Sequence, residues 1–384
     1  MSNLAPKNYR SPGQLLEALL SKRGWTKRTL AVVLGVNEAT ITRLTGNKQP
    51  IDAKLSIALE EVFGIAAEEF LSAQREFDLA QARIVVEPDP RRATRALLYG
   101  DLPIAEMIKR GWIDAKNVRD TENVETGLSR FFGVNRPEDI EILPHAAKKT
   151  VVNMRPTPAQ LAWLYRVKAI AEEQIVAKFS HEALEKTIVR LRTLTVAPEE
   201  ARNVPRILSE TGIRFVIVET LPSAKIDGVC FWLNDASPVV GLSMRHDRID
   251  NFWFVLRHEL EHVRLGHGRE QEQMILDAEL EGDRAGVGAT VSEEERAANG
   301  AAQEFCVPRA RMTAFVARKD PFYSERDLLA FAKILKVHPG IVAGQLQHAT
   351  GRFDRFRKHL VDIRTHVSHG AAVDGWGDVY PVGA

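Results

Sequence analysis

Along the first 83 residues, apolar positions recur three and four apart in short bursts, and a glycine closes most of them. Leu15, Leu16, Leu19 and Leu20 form one stripe. Ser11-Pro12 stands at its start, where a hydroxyl caps and a proline fits the first helical turn, and Gly24 ends it. Thr26 caps a second helix that runs to Leu34 and stops at Gly35. Asn37 caps a third over 38–44, closed by Gly46-Asn47. Two more helices follow at 52–63 and 66–83, with Gly64 between them. Residues 93–200 again carry helical spacing, broken at Pro103, Pro137, Pro144, Pro156 and Pro158. The period then changes. Residues 214–219, 228–233 and 238–244 read as strands, and 235–238 has the composition of the turn joining the last two. A helix follows from 250 to about 265, and there is no internal repeat.

The pattern predicts a multidomain, mainly α chain. An all-α domain occupies 1–83, and a linker occupies 84–95, where Glu87-Pro88-Asp89-Pro90-Arg91-Arg92 has turn composition. A helical middle region covers 96–200. An α+β domain with a small antiparallel sheet covers 201–350, and a tail covers 351–384.

Composition narrows the class. With 45% hydrophobic and 27% charged residues the chain reads as a folded soluble protein. The two cysteines, Cys230 and Cys306, lie far apart, which excludes a disulfide scaffold and a multi-cysteine zinc site; both are expected to be buried apolar groups. No apolar run approaches the roughly 20 residues of a membrane span. The first ten residues lack the apolar stretch of a secretory signal, so the cytoplasm is expected and no membrane partner. The 52 basic and 51 acidic side chains give a net charge of +1, which argues against nucleic acid until its distribution is read. Residues 1–50 hold eight basic groups against two acidic ones, and residues 51–90 three against nine. The near-zero sum is a cancellation between a basic half-module and an acidic one.

Within the basic half, the spacing is that of a helix-turn-helix. Ala31 is small where two helices cross, Gly35 permits the turn, and Val36 and Ile41 anchor the following helix. Asn37, Glu38, Thr40, Thr42 and Arg43 are left on its outer face or leading end, where they would enter a major groove. Arg43 suits guanine, and Asn37 suits adenine or a phosphate. Glu38 would accept from a cytosine amino group or discourage wrong sequences. Lys27, Arg28, Asn47 and Lys48 flank that face as phosphate contacts. The bland alternative is a helical bundle with a basic solvated face. Ser11-Pro12-Gly13, residues 26–51 and Phe63-Gly64 together resemble the HigA-type, phage-repressor-like (XRE-like) helix-turn-helix family over about residues 10–83. The resemblance implies a compact antitoxin or repressor that binds double-stranded operator DNA, usually as a homodimer, with a toxin as a further candidate partner.

The chemical signal is His258-Glu259-Leu260-Glu261-His262. Histidines four apart lie on one helical face and can ligate one tetrahedral Zn²⁺, and Glu259 beside them can take a proton from the metal-bound water. With 11 histidines in 384 residues, about 0.02 such matches arise by chance. The apolar run at 252–256 places the motif on a buried helix rather than a solvated one. A catalytic zinc needs a third protein ligand. The extended pattern with a histidine six residues beyond the second fails here, because position 265 is Leu, position 268 is Gly and Gly266-His267 is out of register. The acidic start of the helix over 292–308 supplies candidates. Helical phase favours Glu295 over Glu293 and Glu294, with Asn299 one turn on to orient a ligand histidine.

Residues 228–233, Pro238-Val239-Val240, the motif through His267, Glu295, Asn299 and Val307-Pro308 resemble the ImmA/IrrE metallo-endopeptidase family over about 200–350. The resemblance implies a zincin-like fold. It implies His258, His262 and Glu295 as ligands of Zn²⁺, with Mn²⁺ possible, and Glu259 as general base. It also implies a helix-turn-helix repressor as substrate, cleaved in a stress or mobile-element response. The family usually has Gly where Glu261 stands, and Glu and Phe where Ala297 and Ala301 stand. Glu261 would add charge near the metal or face solvent. His246, His267, Tyr323 and His338 are candidates for the oxyanion stabiliser, each more readily read as structural. Strand 238–244 is a candidate for pairing with an extended substrate. Two functions follow: a DNA-binding regulator that hydrolyses a separate repressor or its own linker, or a non-catalytic repressor or antitoxin whose metal domain senses or scaffolds. The aromatic residues of the middle region, Trp112, Trp163, Tyr165 and Phe179, are expected in a core. The basic cluster 355–359 would touch DNA or form a solvated face.

Overall fold

The computed structural model describes residues 9–87, 89–140, 156–269, 275–278 and 293–382. The chain divides into two compact units, Met1–Arg92 and Ala93–Ala384.

The first unit holds α1 (Pro12–Arg23), α2 (Lys27–Leu34), α3 (Glu38–Thr45), α4 (Ala53–Phe63) and α5 (Ala67–Val85). Side-chain caps set the starts: Ser11, Thr26, Asn37 and Asp52 each accept from a backbone N–H three residues on. Gly35 takes the left-handed conformation (φ 65°) between α2 and α3, a position that disfavours any Cβ. Leu15, Leu16, Leu30, Ile41, Leu59 and Phe70 are fully buried in one core. Ile41 thus acts as expected, but Val36 does not: it is 36% exposed, because it lies before the Asn37 cap and outside the helical stripe.

The second unit opens with α6 (Arg92–Asp101), α7 (Ile104–Lys109), α8 (Thr121–Phe131), α9 (Pro158–Glu172), α10 (His181–Leu194) and α11 (Val204–Thr211). There follow β1 (Arg214–Val218), β2 (Ile226–Trp232), β3 (Pro238–Leu242), α12 (Ile249–Leu265), β4 (Ile275–Ala278) and α13 (Glu293–Cys306). It closes with α14 (Arg309–Lys319), α15 (Glu325–Leu335), α16 (Pro339–Thr350), α17 (Arg364–Val367) and β5 (Ala372–Asp374). The described strands form one sheet in the order β4-β2-β3-β1-β5. It is mixed, which corrects the antiparallel sheet expected from the sequence. The β2–β3 hairpin and the β2–β4 pair are antiparallel, whereas β1 runs parallel to both β3 and β5. Parallel neighbours need long connections, and β5 arrives only after the helices from α12 to α17. Strand β3 lies in the middle of the sheet, paired on both sides. Its edges are therefore closed to a substrate, and the pairing considered for 238–244 is excluded.

Both faces of the sheet are covered, which is why β2 is buried at every position. Cys230 faces the core shared with α12 and α16, and its neighbour Val229 faces the core shared with α9. The middle region and the tail join this same compact unit. Trp163 is fully buried and Trp112 nearly so, while Phe179 and Tyr165 are partly buried. The fully buried Asp374 of β5 accepts from Trp112 Nε1 at 2.7 Å, from Arg166 Nε at 3.0 Å and from the Tyr380 backbone at 3.0 Å.

Candidate metal centre

Helix α12 carries the motif. Arg248 precedes it in an extended conformation, and left-handed Gly266 (φ 74°) ends it. His258, Glu259 and His262 are all 0% exposed, so this is an interior helix. Helix α13 packs along it, with Ala298 and Ala302 buried on the side that approaches.

That packing brings Glu295 over the two histidines. His258 Nε2 lies 3.4 Å from Glu295 Oε2, and His262 Nε2 lies 3.5 Å from Oε1. The two Nε2 atoms are 3.1 Å apart. One donor atom from each of His258, His262 and Glu295 falls within 4.8 Å of the others. Two imidazoles and a carboxylate converging in a buried site are a donor set suited to a borderline cation such as Zn²⁺. Glu295 keeps 27% side-chain exposure, so its side of the site is the one nearer solvent.

Glu259 is not one of these three converging donors; its carboxylate lies against Gly228 of β2. A Cβ built on Gly228 would run into Glu259 Oε1 and would lie 2.9 Å from Val255 Cγ1. The strand approaches the helix closely there because position 228 is glycine. In the sequence Gly228 is simply the first residue of the strand pattern 228–233. Nothing local to it signals that it borders the carboxylate.

Glu261 is neither solvent-facing nor part of the metal centre. It is 4% exposed and clamped, Arg257 Nη2 at 2.7 Å on one side and Arg264 Nε at 2.8 Å on the other. Burial alone raises its carboxyl, yet the two guanidiniums together bring it below its ordinary value. Asn299 sits half-buried one turn beyond Glu295, whereas His267 meets one of the paired histidines directly: the Nδ1 atoms of His262 and His267 are 2.9 Å apart. Glu294 lies near His267, with Oε1 3.8 Å from Nε2.

Residues 209–346 match the model of the IrrE N-terminal-like domain, Peptidase_M78. The matched segment runs from α11 into α16 and contains His258, Glu259, His262, Glu295 and Asn299. No curated protein matches the chain. Among the described residues no helix is long and apolar enough to cross a membrane.

The residues expected at DNA lie in the first unit. Arg28, Asn37, Glu38, Thr42, Arg43 and Lys48 are exposed, and Lys27 and Thr40 are half-buried. Several are already engaged. The Asn37 side chain accepts from Thr40 N and Oγ1, both at 2.8 Å. Arg43 donates to Gln49 Oε1 at 3.2 Å and to Thr40 Oγ1 at 3.3 Å, and Lys27 pairs with Glu17 at 3.3 Å. Asn47 departs furthest from the phosphate contact expected of it. Its Oδ1 accepts from Gly13 N at 2.9 Å and its Nδ2 donates to Ser11 Oγ at 3.0 Å, so its amide ties α1 to the end of α3.

Proposed function

We propose that the chain is a DNA-binding regulator with a zinc-dependent metallo-endopeptidase domain, and that it hydrolyses a peptide bond in a regulatory protein. The carrying observation is the convergence of His258, His262 and Glu295 beside a buried Glu259, within the segment that matches a peptidase family. Those three residues would hold the metal, with Mn²⁺ as an alternative occupant. Bound there, the metal would polarise both a water molecule and the scissile carbonyl. Glu259 would take a proton from the attacking water as its oxygen adds to the carbonyl carbon, and would return it to the amine as the C–N bond breaks. Gly228 leaves room for the carboxylate to do this.

The basic α2–α3 face is the proposed operator contact, read through Arg43 and steadied by Arg28 and Lys48. A helix-turn-helix repressor, or this chain's own 84–95 segment, is the proposed substrate, in a stress or mobile-element response. A homodimer in the cytoplasm is the proposed working form, with a toxin as the partner to seek if the chain belongs to a toxin–antitoxin pair.

The decisive comparison is wild type against Glu259→Gln. Both bind zinc and DNA, but only wild type generates cleaved peptides in stressed cells, detected by N-terminal proteomics. Equal cleavage and unchanged regulation in the variant would reject the enzyme in favour of a metal-sensing or scaffolding repressor.

A further inference from the structure

The C-terminal end of α12 holds a second layer behind the metal centre. Gly266 turns left-handed, and the His267 backbone N–H closes the helix on the His262 carbonyl at 2.9 Å. The His267 carbonyl accepts from Trp232 Nε1 at 3.0 Å, and the Arg269 guanidinium lies 4.6 Å from the Trp232 ring centre. His267 is thus tied from both sides at the backbone, to the helix it follows and to strand β2. So held, its ring turns back onto His262. The ring centres are 5.2 Å apart and the two Nδ1 atoms 2.9 Å apart. On its far side His267 Nε2 faces Glu294 Oε1 at 3.8 Å, and the His267 side chain is only 16% exposed.

Resting on the metallopeptidase reading above, we infer that His267 is a positioning residue, which fixes the ring and tautomer of His262 so that the Nε2 lone pair points into the metal centre. Two neutral imidazoles that meet through their Nδ1 atoms have room for one proton between them. The geometry assigns the His267 proton to Nε2, on the Glu294 side, and His267 Nδ1 as the acceptor. His262 then carries its proton on Nδ1 and presents Nε2 unprotonated, 3.5 Å from Glu295 Oε1. A ligand histidine whose other nitrogen is held in this way loses little freedom when a cation arrives. The order along the chain is Glu294, His267, His262, metal centre. Two of its members come from α12 and the turn that ends it, and Glu294 comes from the first turn of α13.

The test measures Zn²⁺ affinity of the full chain by competition with a chromophoric chelator, and separately reads the imidazole tautomers of the zinc-free chain by long-range proton–nitrogen NMR. His267→Ala should bind Zn²⁺ about 10- to 100-fold more weakly, while its zinc-free melting temperature stays near that of wild type. His267→Asn should recover most of the affinity, because its Oδ1 can stand where Nδ1 stood. In the zinc-free wild type, His262 should carry its proton on Nδ1. The inference is overturned if His267→Ala binds Zn²⁺ as tightly as wild type, if Asn fails as badly as Ala, or if His262 is protonated at Nε2. A wild-type chain that shows the expected tautomer and yet binds no Zn²⁺ would sink the metallopeptidase reading while leaving His267 in its positioning role.

Discussion

Single residues carry the sharpest expectations. At Gly228, even one methyl group meets the Glu259 carboxylate and Val255. Gly228→Ala should therefore cut peptidase turnover by at least about tenfold, the effect of roughly 1.4 kcal/mol at the barrier. Zinc stoichiometry should be retained, because the proposed ligands lie on α12 and α13; loss of zinc together with turnover would contradict this. Cys306 gives a pH dependence. Burial foremost, with Asp250 next, pushes its thiol up to about 12. An unfolded thiol ionises near pH 8.5. Above that value the unfolded chain loses a proton that the folded chain keeps, so this group's contribution to stability declines as pH rises through the window up to about 12. The slope is roughly 1.4 kcal/mol per pH unit. Urea titrations of wild type and Cys306→Ala between about pH 8 and 10 should show this extra decline in wild type alone. His258, Glu259 and His262 were legible from spacing because a helix repeats its faces every turn. The burial of Glu261 and the environment of Asn47 were not, since the first depends on the elements packed over α12 and the Asn47 amide meets Ser11 and Gly13 from 36 and 34 residues away.

At the level of elements, short β5 pairs with β1 and is tied to the rest of its unit through Asp374 as well. Its carboxylate joins Trp112, Arg166 and the Tyr380 backbone. Asp374→Ala leaves the buried Arg166 guanidinium without its carboxylate, and removing one member of a buried pair costs about 3–5 kcal/mol. Thermal unfolding of the 93–384 unit should move down accordingly, with hydrogen exchange rising first in β5 and α9. A shift too small to resolve would mean the tail docks without this carboxylate. The β2–β3 hairpin and α12 were visible as patterns, whereas three-residue β5 was not. It carries no period of its own and is a strand only because β1 offers it an edge. In the first unit, Asn47→Ala should lower stability by roughly 1–2 kcal/mol for two lost hydrogen bonds. Lys48→Ala should instead reduce the salt slope of DNA binding by about 1, the signature of one phosphate contact. Equal salt slopes for wild type and Lys48→Ala would remove Lys48 from the proposed interface.

For the whole molecule, the proposed activities belong to different compact units, so Arg43→Ala should lose operator affinity and keep peptidase activity, and Glu259→Gln should do the reverse. Zinc at about 100-fold its dissociation constant should stabilise the unit that contains α12 by about 2.7 kcal/mol, reversed by a chelator and read by calorimetry. The helices with their caps, the hairpin, the polarised charge of the first 90 residues and the pair of histidines on one face of α12 are written in the amino-acid order. All of these follow from interactions within a few residues, where periodicity and capping act. The mixed sheet, and the single compact unit shared by middle and tail, arise from long-range packing. That packing also decides that Glu295 closes over the two histidines, that Gly228 makes space for Glu259, and that His267 folds back on His262. Each of those depends on which distant segments pack together, and packing is specified by the shapes of both partners at once, so no local pattern along the chain contains it.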